Sequence, residues 1–419
     1  MSAIQIRGLG PLHGELEIQG SKNAVLPVMA AAVLSAGKTV IRHVPAIEDV
    51  FSMIKILESL GCRCVWEDGV VTIDASSVDS AAIPEEYVGK MRSSCLLLGP
   101  LLGRMGEAVT RYPGGCVLGE RPIDFHINAL KRMGAEIFES DGRILARAVR
   151  LAGCEIRFPY PSVGATENTI MAAVLADGTT ILDNCAREPE ILELCRFLTK
   201  MGAKIDGAGE KRIVIKGVEK LNPVEFVLDG DRICAGTYLA AALAVGGDIL
   251  VKGVDPAQLR EPILTMRHMG ARVTIEEEEK SIRLLMRGRP KGSLIYTGPY
   301  PEFPTDLQSV FLAAASVADG KSQITETVFE ARFAAADVMQ RFGARIEVEG
   351  RTAYVTGRYP LMPAVADAPD LRGGAALVVA GLAADGVSMI GNCEHIARGY
   401  EDICRDLQSL GAETKWIQR

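Results

Sequence analysis

The chain has 419 residues, 48% of them hydrophobic, enough for two domains with full cores. Its net charge of −7 argues against bulk nucleic-acid binding, so any anionic ligand must be met by a local basic cluster. No apolar run reaches membrane-spanning length without Gly or charge, and MSAIQIRG lacks the form of a signal peptide, so a soluble, cytoplasmic protein is expected.

Two strand-like segments, AIQIRG and GELEIQG, open the chain. Between them Gly8-Leu9-Gly10-Pro11-Leu12-His13-Gly14 mimics a dinucleotide fingerprint. Its spacing is wrong, it contains Pro, and a strand follows where a helix is required. NAVLPVMAAAVLSAG comes next, a helix apolar nearly all round and therefore predicted to be buried. A β run from Gly37, a helix, a close at Gly61 and the hairpin CRCVW–EDG–VVTIDA follow, with Asp-Gly at the tip where positive φ is needed. The same arrangement recurs at Gly106 to Gly134, Gly178 to Gly202, Gly247 to Gly270, Gly320 to Gly343 and Gly386 to Gly411. Starts lie about 70 residues apart, beyond solenoid periods, so six copies point to a closed symmetric α/β assembly.

AEIFE–SDG–RILARA is the second hairpin, and Glu276 to Lys280 reads as an exposed hairpin tip. ENTIMAAVLADG, TYLAAALAVGG, DLQSVFLAAASVADG and GAALVVAGLAADG are further buried helices. In the third copy Ile191, Leu194, Cys195, Leu198 and Met201 share one helical face. The sixth copy stops after ETKWIQR, while the first twenty residues have no copy of their own. The expected domains are therefore 22–229, with repeats one to three, and 1–21 plus 230–419, with repeats four to six completed by the N-terminal strands.

Each buried helix starts on polar or charged residues: Ser21-Lys22-Asn23, Arg92-Ser93-Ser94, Ser162 to Thr166, Asp231-Arg232, Thr305-Asp306 and Asp370-Leu371-Arg372. Ser, Thr and Asp there can be N-caps. Lys22, Arg92 and Arg372 are not caps, and cations at a helix start oppose the macrodipole. Equivalent helix starts facing one cleft would form an anion trap. The second copy is longer than the others by RYPGGCVLGERPIDFH. Pro-Gly-Gly there makes a loop, and Cys116 lies close in sequence to Arg121, where a reactive thiol would sit; the alternative is an inert surface Cys. His126 on the next helix reads as a surface or partly buried residue. Ten cysteines show no zinc-type pairing and are expected as free thiols. No Walker A sequence, calcium loop or His constellation is present, so neither a metal nor a cofactor is expected.

GSKNAVLP (20–27), MRSS (91–94), PGGCVLGERPID (113–124), SVGATEN (162–168), AREPEI (186–191), FPTDLQ (303–308), ITETVFEARF (324–333), DLRGGAALVVAG (370–381) and HIARGYEDI (395–403) carry a specific resemblance. Over its whole length the chain resembles the UDP-N-acetylglucosamine 1-carboxyvinyltransferases, the enolpyruvyl transferases of the first committed step of peptidoglycan synthesis. The resemblance implies a two-domain inside-out α/β barrel with three repeats per domain. It also implies phosphoenolpyruvate and UDP-N-acetylglucosamine as substrates. Lys22, Arg121 and Arg398 would hold the phosphoenolpyruvate anion, with Arg92 and Arg372 near. Asp306 would accept the sugar 3-hydroxyl proton, and Cys116 would protonate C3 and can form a phospholactoyl adduct. Asn23, Arg121, Pro122, Ile123, Asp124, Phe125, Tyr160, Pro161, Ser162, Val163, Gly164 and Val328 would line the nucleotide-sugar site, with Arg332 and Asp370 also binding substrate. The Cys116 loop would act as a lid during domain closure.

The chain departs from the family's common pattern at Ala331 (Asn is usual), Ala397 (Asp) and Cys234 (Glu), while Tyr160 and Glu48 replace lysines of some members. Ala397 adjoins Arg398 and bears on that arginine's orientation. An enolpyruvyl transferase for another acceptor such as shikimate phosphate is disfavoured by SVGATEN and the PGGC loop. A catalytically silent UDP-sugar-binding regulator is opposed by retention of Lys22, Cys116, Arg121, Asp306 and Arg398.

Overall fold

The structure is a computed structural model that describes residues 2–89, 91–112 and 123–418. Cys116, Arg121, Pro122 and the Pro-Gly-Gly segment lie outside the described residues. The chain divides into two compact units, residues 20–112 with 123–228, and residues 2–19 with 229–418. Each has its own hydrophobic core.

Each unit contains three sheets built to one plan. In the first repeat, Lys38–Arg42 is central. Thr39 and Ile41 face the core while Lys38 and Arg42 face outward, as the alternation in KTVIR dictates. It pairs antiparallel with Val70–Asp74, whose hairpin partner is Arg63–Glu67. Asp68 and Gly69, at φ 46° and 75°, close that hairpin, and Asp141 and Gly142 at 51° and 73° close the next. Glu225–Val227 adds on the other side, parallel to Lys38–Arg42. The last strand of the third repeat thus returns to the sheet of the first.

The same crossing joins successive repeats. Glu155–Arg157 pairs with Thr179–Asp183, Leu294–Tyr296 with Lys321–Thr325, and Val365–Asp367 with Val387–Gly391, all parallel. Leu12–Glu17 takes the crossing position beside Gly247–Lys252. Ser2–Arg7 lies antiparallel between Val387–Gly391 and Glu413–Gln418, the place of the hairpin strand that the sixth repeat lacks. The second repeat departs from the plan. Its sheet has three strands, and the crossing position holds only the isolated parallel bridge Ala82↔Val109.

Inside the sheets lie the Ala-rich helices. Arg232–Val245, Thr305–Ser316 and Leu371–Leu382 pack on one another in one unit. In the other, Leu98–Met105 packs on Val163–Ala173, and Lys22–Ala32 meets the 3₁₀ turn Arg92–Leu97 that leads into Leu98–Met105. Small residues permit this closeness: a Cβ on Gly99 would stand 2.3 Å from the Asn168 carbonyl oxygen. Outer helices bury one side. In Pro189–Met201 the five positions of the expected stripe are 0–1% exposed, but Glu190 and Glu193 are buried as well, so the covered face is wider than the apolar pattern alone indicates. The folding thus carries the N-termini of the inner helices, with the polar residues that begin them, to defined positions in each unit.

Candidate functional site

Four of the helix starts are capped as side-chain chemistry suggests. Ser21 Oγ accepts from the Ala24 N–H at 3.3 Å and Ser162 Oγ from Ala165 at 3.4 Å. Asp231 accepts from Ile233 and Cys234, and Asp370 from Arg372 and Gly373 at 2.8 and 2.9 Å. Asp370 thereby commits one carboxylate oxygen to its own helix. Thr305 does otherwise: its hydroxyl donates to Glu326 Oε2 at 2.9 Å, and no side chain caps that helix. The turn into Arg92–Leu97 likewise has no side-chain cap.

In the unit of residues 20–228, Lys22 is the first residue of its helix. Its ammonium meets Asp49 Oδ2 at 3.0 Å, with side chains 14% and 5% exposed. Asp49 stands in the first turn of Glu48–Ser59, where a carboxylate suits the macrodipole, and it answers the charge that Lys22's own helix start disfavours. Asn23 donates to Glu190 Oε1 at 3.2 Å. Beneath this start lies the fully buried Glu167. Burial pushes its carboxyl well above the usual range, and Glu190 and Glu188 push it further. Ile123 is buried, Asp124 begins Asp124–Arg132 with its side chain exposed, and Phe125 is half-buried. Tyr160 is exposed, and Pro161, Ser162, Val163 and Gly164 are half-buried at the start of their helix. His126 is more enclosed than its sequence context indicates, at 5% exposure, and a Cβ on Gly164 would lie 3.0 Å from its Nε2. Arg92 is half-buried.

The other unit gathers a tight ionic group. Asp306, at the second position of Thr305–Ser316, accepts from Arg332 Nη2 through Oδ1 at 2.7 Å and from Arg372 Nη2 through Oδ2 at 2.9 Å. Both arginines are buried, and Asp306 keeps 25% side-chain exposure. Arg332 is further anchored by the Thr305 carbonyl through Nε and Nη2, each at 3.3 Å, and stacks over Phe329 at 5.6 Å. Burial works against the Arg372 charge, yet Asp306 and further anionic neighbours outweigh it and hold the guanidinium pKa above its ordinary value. Among the described residues, Arg372 Nη1 has no hydrogen-bond partner.

Glu326, 1% exposed, orders the adjoining turn by accepting from the Val328 and Phe329 N–H groups at 2.8 and 3.0 Å, which fixes the half-buried Val328. Arg398 follows the short helix Glu394–Ala397 and is half-buried. Cys234 is fully buried; burial first, and then Asp231, push its thiol far above the ordinary range. Its Sγ donates to the Gly399 carbonyl at 3.5 Å.

The arrangement can hold anions and move a proton. Asp306 is kept ionised by two guanidinium donors and is therefore available as an acceptor, though those same hydrogen bonds weaken its basicity. Asp49, Glu190 and Glu326 are the partners that sequence reasoning missed. Glu190 and Glu326 stand inside distinctive motifs, AREPEI and ITETVFEARF, whereas Asp49 carries only the signal of an acid in a helix's first turn. Among the described residues, no group of three or more His, Cys, Asp or Glu side chains is arranged to hold a metal ion.

The family model of EPSP synthase (3-phosphoshikimate 1-carboxyvinyltransferase) matches residues 6–407. A UDP-N-acetylglucosamine 1-carboxyvinyltransferase of Cellvibrio japonicus is 47% identical over 421 residues, covering 100% of both chains. UDP-N-acetylglucosamine 1-carboxyvinyltransferase 2 of Caldanaerobacter subterraneus subsp. tengcongensis is 44% identical, covering 99% of each. Among solved structures, the enolpyruvyl transferase NikO of Streptomyces tendae superimposes with TM-score 0.90 at 26% identity, over 100% of this chain and 99% of that one. An EPSP synthase of Acinetobacter baumannii shares the fold at TM-score 0.76 and 20% identity, over the whole of both chains.

Proposed function

The chain belongs to the EPSP synthase family of enolpyruvyl transferases, and from this we propose that it transfers the enolpyruvyl group of phosphoenolpyruvate to the 3-hydroxyl of UDP-N-acetylglucosamine, committing the sugar to peptidoglycan synthesis. The observation that carries this reading is end-to-end identity of 43–47% with four relatives that bear that activity in their names.

In the proposed reaction Lys22, Arg121 and Arg398 hold the phosphate of phosphoenolpyruvate, with Arg92 and Arg372 adding positive field. Asn23, Asp124 and the 160–164 segment bind the nucleotide sugar, with Val328 against it. Asp306 takes the 3-hydroxyl proton as the sugar oxygen bonds to C2, and the Cys116 thiol gives a proton to C3. The resulting tetrahedral ketal loses phosphate from C2 and a proton from C3, which restores the double bond. Fixed guanidinium and ammonium groups stabilise the charge that develops.

The test is inorganic phosphate release on mixing the protein with phosphoenolpyruvate and either UDP-N-acetylglucosamine or shikimate 3-phosphate. Release with the nucleotide sugar alone is expected. Release only with shikimate 3-phosphate, or with neither acceptor, would overturn the reading.

A further inference from the structure

The two arginines on Asp306 are not equivalent. Arg332 is doubly employed, on the Asp306 carboxylate and on the Thr305 carbonyl. Arg372, equally buried, holds Asp306 by one N–H while its Nη1 has no partner among the described residues. A buried guanidinium N–H left unmade costs about 1–3 kcal/mol. On the inner side its electrostatic neighbours include the neutral Cys234 thiol and Tyr400 hydroxyl rather than a second close carboxylate. A carboxylate or phosphate arriving beside Arg372 could take two parallel N–H bonds from the fork, where Asp306 takes one.

We propose that Arg372 is a ligand-exchanged latch on Asp306: without ligand it pins Oδ2, and an incoming carboxylate- or phosphate-bearing anion draws the guanidinium away and releases that oxygen to act as base. Arg332 stays and keeps the carboxylate oriented through Oδ1. The anion thus frees the base that its own reaction needs, so hydroxyl deprotonation is coupled to occupancy of the second site. The latch rests on the functional reading above, with phosphoenolpyruvate as the natural anion.

The test is a double-mutant cycle on binding, with phospholactate as probe. It carries both anionic groups but no double bond, so it cannot react. Its affinity is measured by titration calorimetry with saturating UDP-N-acetylglucosamine, for wild type, Asp306→Asn, Arg372→Met and the double variant. If Asp306 competes with the anion for Arg372, Asp306→Asn binds phospholactate about tenfold tighter than wild type, the equivalent of one charge-assisted bond no longer broken. In the Arg372→Met background the same change gains less than about twofold. An equal gain in both backgrounds would mean that Asp306 merely repels the anion through space, and no gain in either would mean that Arg372 never leaves it; both results defeat the latch. Phospholactate that binds none of the four proteins would strike the functional reading itself.

Discussion

An epoxide that mimics phosphoenolpyruvate, such as fosfomycin, should alkylate Cys116 and leave the other nine thiols untouched. The nine are all free; seven are buried, and Cys64 and Cys154 are half-buried. Burial pushes Cys62 up to about 11 and Cys64, Cys185 and Cys195 up to about 12. At pH 7.5 an ordinary thiol near ~8.5 is roughly one-tenth thiolate, whereas thiols at these values are about 10⁻³ to 10⁻⁵ ionised. Higher basicity makes the rarer thiolate a better nucleophile, and a Brønsted slope of ~0.4–0.5 returns nearly half of that logarithmic loss. The net disadvantage is about 20- to 100-fold before steric shielding by the core is counted. Peptide mapping of the adduct mass, with and without UDP-N-acetylglucosamine, reads the outcome. A single adduct on Cys116, formed faster with the nucleotide sugar, is expected. An adduct on Cys64 or Cys154, the two most accessible of the nine, or a rate indifferent to the sugar, would refute the reasoning. Cys116→Asp should resist the epoxide while keeping measurable transfer, because a carboxylic acid can still protonate C3. Cys116→Ser should lose most turnover, its hydroxyl being a far weaker acid.

Asp306→Ala should lower turnover by about 10²–10⁴-fold in the phosphate-release assay; near wild-type turnover would remove Asp306 from the chemistry. Asp49→Ala takes the carboxylate from a largely buried ammonium and should destabilise the protein by about 3 kcal/mol in urea unfolding, with part of the loss recovered when Lys22 is also replaced by Met. An unchanged midpoint in the single variant would show that Lys22 does not depend on this pair. Glu167 has a folded pKa above its unfolded value of 4.5, so the stability it contributes is full below pH 4.5 and is lost as pH rises toward the folded value. Glu167→Gln should therefore melt above wild type at neutral and alkaline pH and converge with it in acid. A constant difference across the pH range would contradict the burial argument.

Local patterns were enough to locate much of the architecture. Asp68-Gly69 and Asp141-Gly142 specify tight turns, because few other residue pairs accept positive φ at both positions. All-apolar runs such as AGTYLAAALAV have no face to offer water and form the buried helix Arg232–Val245. Ser21, Ser162, Asp231 and Asp370 cap helices through bonds that reach only two or three residues along the chain. Such interactions are legible because donor and acceptor are neighbours in sequence.

What the sequence by itself determined, then, was the repeated unit, its elements and the charged groups at the helix starts. Only the tertiary structure decided what those groups meet. Thr305 looked like a cap and instead serves Glu326, because the turn after a neighbouring strand brings a buried carboxylate within 2.9 Å. Lys22 finds Asp49 across two helix starts, and Asp306 finds Arg332 and Arg372 from three separate segments. The crossing strands that return Glu225–Val227 to the first sheet and insert Ser2–Arg7 into the last follow the same logic. Long-range pairs depend on how sheets and helices stack, and a buried charge takes whichever counter-charge that stacking brings within a few ångströms.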